Sequence, residues 1–183
     1  MFYISYSFLV LCISIAWVLL RTLAAFRQRR IHIQRELQLL LVYICIVVVV
    51  RFTFFPFSKV DGVIQPLVLV KSKILTPRVN LIPFVHLFDY PVLREALLNL
   101  IGNITMFIPL GIVWPCVFKI LNSHAKVIGA GISLSLLIEL LQLPFYDRVS
   151  DIDDLILNST GFILGYLIYL LSRFITGKLN KTC

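Results

Sequence analysis

Five stretches of this chain, 2–20, 37–57, 96–121, 127–145 and 155–175, are almost wholly apolar. Each is close to the ~20 residues that a helix needs to cross the ~30 Å hydrocarbon core of a bilayer. Backbone polar groups cannot stay unpaired in lipid, so a span must be a helix or part of a closed barrel. No barrel-like alternation of apolar and polar residues is visible. The expected fold is therefore all-α: a polytopic transmembrane bundle of about five helices. Composition points the same way, with 60% hydrophobic and 14% charged residues in a chain of 183. Soluble domains average about half apolar and a quarter charged, and no ordinary water-facing core holds this much apolar side chain.

The first run lacks the pattern of a cleaved signal peptide. Residues 1–6 carry no charged side chain, and Arg21, Arg27, Arg29, Arg30 and Arg35 follow the run. This predicts an uncleaved anchor with its N-terminus outside. The segments 21–36, 119–126 and 173–183 then become cytoplasmic, and they hold ten Lys/Arg and one acid, Glu36. The outer segments 58–95 and 146–154 hold six Lys/Arg and seven acids: Asp61, Asp89, Glu95, Asp147, Asp151, Asp153 and Asp154. The positive-inside rule therefore predicts a cytoplasmic C-terminus in the cell membrane. The expected organisation is an anchor with a basic loop (1–36), a transmembrane domain (37–176) and a short tail (177–183). Within 58–95, the apolar stretches 63–70 and 79–88 are too short to span, and each contains proline. They predict an interfacial or re-entrant lid on the outer leaflet.

Net charge is +8, yet the bases sit between apolar runs and form no stripe, so nucleic acid is not an expected partner; membrane lipids are. Cys12, Cys45, Cys116 and Cys183 lie far apart, without the paired spacing of a zinc site.

The informative residues are polar ones inside the spans: Arg51, Asn99, Asn103, Glu139, Gln142 and Asn158. A charge at mid-bilayer costs a few kcal/mol or more, so such groups face an interior and a partner. Asn99 and Asn103 are four apart and Glu139 and Gln142 three apart, so each pair shares one helix face. At a rise of ~1.5 Å per residue, Arg51 and Glu139 both lie roughly 9 Å from their outer helix ends, and Asn158 about 5 Å. Two readings stay open. The groups could join helices by hydrogen bonds, or they could line a polar cavity opening outward. Arg51 and Glu139, at similar depth, are expected to be coupled.

The rim of such a cavity would be Asp147-Arg148-Val149-Ser150-Asp151-Ile152-Asp153-Asp154. Clustered carboxylates suit a hard divalent cation, while Asp153 and Asp154 equally suit capping of the fifth helix. His32, His86 and His124 are isolated in sequence. No nucleophile–base grouping, glycine-rich phosphate loop or metalloprotease motif stands out, and no cofactor is expected.

These residues fall in an ordered series of short motifs. They are Arg51-Phe52-Thr53-Phe54-Phe55-Pro56, Asn80-Leu81-Ile82-Pro83-Phe84, Asn99-Leu100-Ile101-Gly102-Asn103 and Phe107-Ile108-Pro109-Leu110-Gly111. Ile138-Glu139-Leu140-Leu141-Gln142 and Asp151-Ile152-Asp153-Asp154 follow, leading to Asn158 and Gly161. The run from about Arg51 to Gly165 resembles the VanZ-like family of bacterial membrane proteins. The family takes its name from a member associated with resistance to the glycopeptide antibiotic teicoplanin. The resemblance implies a cell-envelope role but no defined reaction, and residues 1–36 lie outside it.

Arg51, Asn80, Asn99, Asn103, Glu139, Gln142, Arg148, Asp151, Asp154 and Asn158 are the candidate ligand-binding residues. One expectation is a non-enzymatic protein binding a lipid, a lipid-linked molecule or a glycopeptide-like envelope ligand. The alternative is a membrane enzyme acting on a lipid-linked phosphate. Arg51, Arg78 and Arg148 would then hold anionic oxygens, with Glu139 or Asp154 as acid/base or metal ligand. A small transporter is less favoured, because the chain has no paired halves.

Overall fold

Five helices carry the apolar runs: α1 (Tyr6–Gln28), α2 (Ile33–Phe54), α3 (Leu93–Val117), α4 (His124–Gln142) and α5 (Ile152–Leu179). The computed structural model describes residues 1–28, 32–55, 61–70, 78–85 and 93–179. All five helices are long and apolar enough to cross a membrane, as the sequence predicts. Among the described residues four short strands accompany them: β1 (Phe2–Ile4), β2 (Leu67–Leu69), β3 (Val79–Asn80) and β4 (Ser150–Asp151). Pro56, His86 and Cys183 lie outside the described residues, and the expected tail is described only as far as Leu179.

The chain groups into two compact units: Met1–Val79 with Leu140–Ser150, and Asn80–Glu139 with Asp151–Cys183. In the first unit, α1 and α2 pack antiparallel. Tyr6 meets the Phe55 ring edge-on at 5.3 Å, Ser14 shares a 2.7 Å hydrogen bond with the Tyr43 hydroxyl, and Arg21 pairs with Glu36 through both carboxylate oxygens. The first helix begins later than the predicted residue 2. Phe2–Ile4 instead pair antiparallel with Leu67–Leu69, with Phe2 opposite Leu69 and Ile4 opposite Leu67. Ser5 then starts α1, its Oγ accepting the Phe8 N–H at 3.2 Å, which is an N-cap bond. Phe8, Leu11 and Ile15 on α1 are exposed, as a lipid-facing helix requires.

In the second unit, α3 and α5 run in the same direction in close contact, with Ile104 beside Gly161 and Ile108 beside Gly165. A methyl group at Gly161 would lie 2.0 Å from the Ile104 carbonyl oxygen, and one at Gly165 would lie 2.0 Å from that of Ile108. Gly111 completes the seam from α3, where an added carbon would meet the Phe162 carbonyl at 2.0 Å. Small residues four apart let membrane helices approach backbone to backbone, where apolar burial gives no drive for association in lipid. Phe162 and Phe107 are fully buried in this unit, and Leu110 with them.

Candidate functional site

The parallel course of α3 and α5 brings their N-terminal turns together, and seven of the ten candidate residues belong to this second unit. Asn99 and Asn103 do share one face of α3, with Asn103 Nδ2 donating to Asn99 Oδ1 at 3.1 Å. The same amide donates to Asp154 Oδ1 on α5, so both of its protons are placed. The sequence alone left Asp153 and Asp154 as candidate caps of this helix. The cap is Asp151 instead, its Oδ1 accepting the Asp153 N–H at 2.9 Å. Asp151 is held in turn by Asn80, whose Nδ2 reaches both carboxylate oxygens at 3.1 and 3.2 Å. Its own N–H donates to Glu139 Oε2 at 2.9 Å. Glu139 is 3% exposed, so a carboxylate at that depth needs such donors.

The Asn80-to-Phe84 motif acts as a clamp on the start of α5. Asn80 Oδ1 accepts the Ile82 N–H at 3.2 Å, and the Phe84 N–H donates to Asp153 Oδ1 at 2.8 Å. Phe84 adopts φ 65, a left-handed backbone that a bulky residue seldom takes. The hydrogen bond to Asp153 is what offsets that strain locally. Asp153, buried at 4% exposure, belongs to this cluster, although the sequence marks it only as part of the rim and a candidate cap.

With Asp151, Asp153 and Glu139 so engaged, the aspartate run does not behave as one cation-binding rim. Among the described residues, no group of three His, Cys, Asp or Glu is arranged to hold a metal ion.

Asn158 lies one turn below Asp154 on α5 and is 1% exposed. Among the described residues its Oδ1 has no hydrogen-bond partner, nor do Ser135 Oγ and Ser159 Oγ in the same unit. A buried polar atom without a partner costs about 1–3 kcal/mol, so each such atom calls for an explanation. The two serines carried no signal in the sequence beyond being small polar residues within spans.

The other three candidates, Arg51, Gln142 and Arg148, belong to the first unit and converge on the end of α2. A helix leaves its last carbonyls without partners. Here Gln142 Nε2 donates to the Thr53 carbonyl at 2.6 Å, Arg148 Nε to that of Phe54 at 3.0 Å, and Arg51 Nη1 to that of Phe55 at 3.3 Å. Phe55 itself is extended, as the residue before a proline must be. Two guanidinium groups also complement the negative end of the helix dipole. Arg51 lies over the rings of Tyr6 and Phe52, at 5.8 and 5.3 Å. These side chains therefore have a structural role as a cap made from distant sequence.

Five apolar spans with charged and amide groups held inside them define a multi-pass membrane protein. The family model described as VanZ/LLP1 matches residues 40–173, and the chain belongs to that family. The matched region excludes all of α1, the basic segment after it and the first residues of α2. Comparison with curated proteins and with solved structures returns no match.

Proposed function

We propose that this VanZ/LLP1 protein is a non-enzymatic component of the cell envelope whose carboxylate–amide cluster binds an envelope ligand. The cluster comprises Asn80, Asn99, Asn103, Glu139, Asp151, Asp154 and Asn158. The ligand is a lipid, a lipid-linked molecule or a glycopeptide-like compound, which would connect the protein to teicoplanin susceptibility. One observation carries the reading: the buried Asn158 carbonyl, one turn from the Asp154 carboxylate, has no partner among the described residues. An acceptor pair of that kind suits hydroxyl and amide donors of a sugar or peptide headgroup. The alternative, an enzyme acting on lipid-linked phosphate, has less support, because Arg51 and Arg148 donate to the end of α2. Mass spectrometry of lipids and envelope compounds co-purifying with the protein tests the proposal. A compound retained by the wild type and depleted in a folded Asn158→Ala variant is expected. Identical profiles would remove the site.

The same proposal sets the N-terminus outside and the C-terminus in the cytoplasm, which puts Asp61 outside and the α3–α4 connection at Asn122 inside. In a background without native cysteines, a membrane-impermeant thiol reagent applied to intact cells should label Asp61→Cys and spare Asn122→Cys. The reverse pattern inverts the topology.

A further inference from the structure

The second unit carries a separate feature at its other end. Asp154 and Arg173 both lie on α5, nineteen residues apart in sequence, which is roughly 28 Å at 1.5 Å per residue. Around Arg173, where α3 ends and α4 begins, lies a cavity of about 460 Å³. Its charged lining is Lys119 and Arg173, joined by His124, Tyr166, Tyr169 and Ser123. No aspartate or glutamate occurs in residues 107–138 or 155–183, which contain every lining segment, so the cavity is cationic without a lining carboxylate.

The cations are positioned rather than loose. Buried Tyr166 shares a 2.9 Å hydrogen bond with His124 Nδ1, which holds the imidazole at the edge of the cavity. The Tyr166 and Tyr169 rings stack with centroids 6.0 Å apart. Arg173 lies over the Tyr169 ring at 5.9 Å, and its Nη1 donates to the Tyr169 hydroxyl at 3.3 Å. A chain of contacts thus runs from His124 to Arg173 and leaves most of the guanidinium fork for another acceptor. Ser123 caps α4, its Oγ accepting the Lys126 N–H at 3.4 Å, so the positive end of that helix adds to the same field.

Helix C-termini attract bases on their own, and Lys119 and Arg173 stand near two of them. That does not account for a cavity, nor for the tyrosines that hold His124 and Arg173 beside it. Arginine, lysine and a helix N-terminus around one concavity are the elements of phosphate recognition. Exposed apolar side chains beside it, Ile120 on the α3–α4 connection and Leu171 and Phe174 on α5, suit acyl chains beside the headgroup.

We infer that this cavity binds a phosphate group, supplied by the headgroup of an anionic lipid in the leaflet that this end of the protein faces. The site is independent of the carboxylate–amide cluster and stands or falls without it.

The test uses the full chain in nanodiscs of equimolar phosphatidylcholine and phosphatidylglycerol, with retained lipids counted by native mass spectrometry. Wild type should enrich phosphatidylglycerol, and the Lys119→Gln/Arg173→Gln variant should lose at least about fivefold of that enrichment. Arg27→Gln/Arg35→Gln, which removes equal charge outside the cavity, should keep it. Should the cavity pair not express, Lys119→Gln alone, at an exposed position, serves with an expected loss of about threefold. Stabilisation of the wild type by inorganic phosphate, without lipid enrichment and abolished by the same substitutions, would retain the phosphate site but overturn the lipid as its source. Equal enrichment in all variants, or none in wild type together with no response to phosphate, overturns the inference.

Discussion

Gly161→Val is expected to lower the unfolding temperature of the purified protein in detergent by about 6–12 °C. The figure takes roughly 3 kcal/mol for overpacking and 2–4 °C per kcal/mol for a chain of this size. The physical reason is that any Cβ at Gly161 would lie 2.0 Å from the Ile104 carbonyl oxygen, which is backbone and cannot rotate away. α3 and α5 must separate, and the bonds linking their N-terminal turns, Asn103 to Asp154 among them, must lengthen with them. Gly129→Ala supplies the control, since nothing lies within 4 Å of an added carbon there. In that open position alanine should be neutral or stabilising, by up to about 1 kcal/mol of helix propensity. Gly161→Ala should already destabilise, and Gly165→Val should behave like Gly161→Val. Equal behaviour of Gly161→Ala and Gly129→Ala would show that the seam is not as tight as described.

That seam shows where sequence reasoning succeeds and where it stops. Hydropathy located all five helices, with every end within about four residues except that of α1, which runs eight residues past Leu20, because lipid forces each apolar run to satisfy its own backbone. It failed at residues 2–4, whose partners are Leu67–Leu69, more than sixty residues away and invisible to a local window. Helical spacing correctly put Asn99 with Asn103, since that relation is internal to one helix. It could not choose the cap of α5 among neighbouring aspartates, because the choice depends on where Asn80 and Glu139 arrive. The Gly161–Gly165 spacing is visible in the sequence as a small-residue pair, but which helix it meets depends on the fold. The basic cavity was likewise legible in part, as Tyr166, Tyr169 and Arg173 at helical spacing, but His124 joins them only through the fold.

On the proposed function, Asp154→Asn is expected to abolish any glycopeptide-susceptibility shift that the wild type confers while leaving the fold intact. Asparagine keeps an Oδ1 that can accept the Asn103 amide, so the link between α3 and α5 survives, and only the negative charge is lost. The helix cap is untouched, because Asp151 provides it. Thermal stability should therefore change by no more than about 1 kcal/mol, the scale of one exchanged hydrogen bond. If the carboxylate meets donors of an envelope ligand, its charge-assisted bonds are worth about twice neutral ones. Losing one such bond, at about 1.5–3 kcal/mol, weakens binding roughly 10- to 150-fold. The measurement is glycopeptide susceptibility on expression of wild type, Asp154→Asn and Asp154→Ala at matched membrane levels. Asp154→Ala removes both the charge and the acceptor for Asn103, so it should lose activity and stability together. A well-expressed Asp154→Asn protein with full activity would return Asp154 to a purely structural role between α3 and α5.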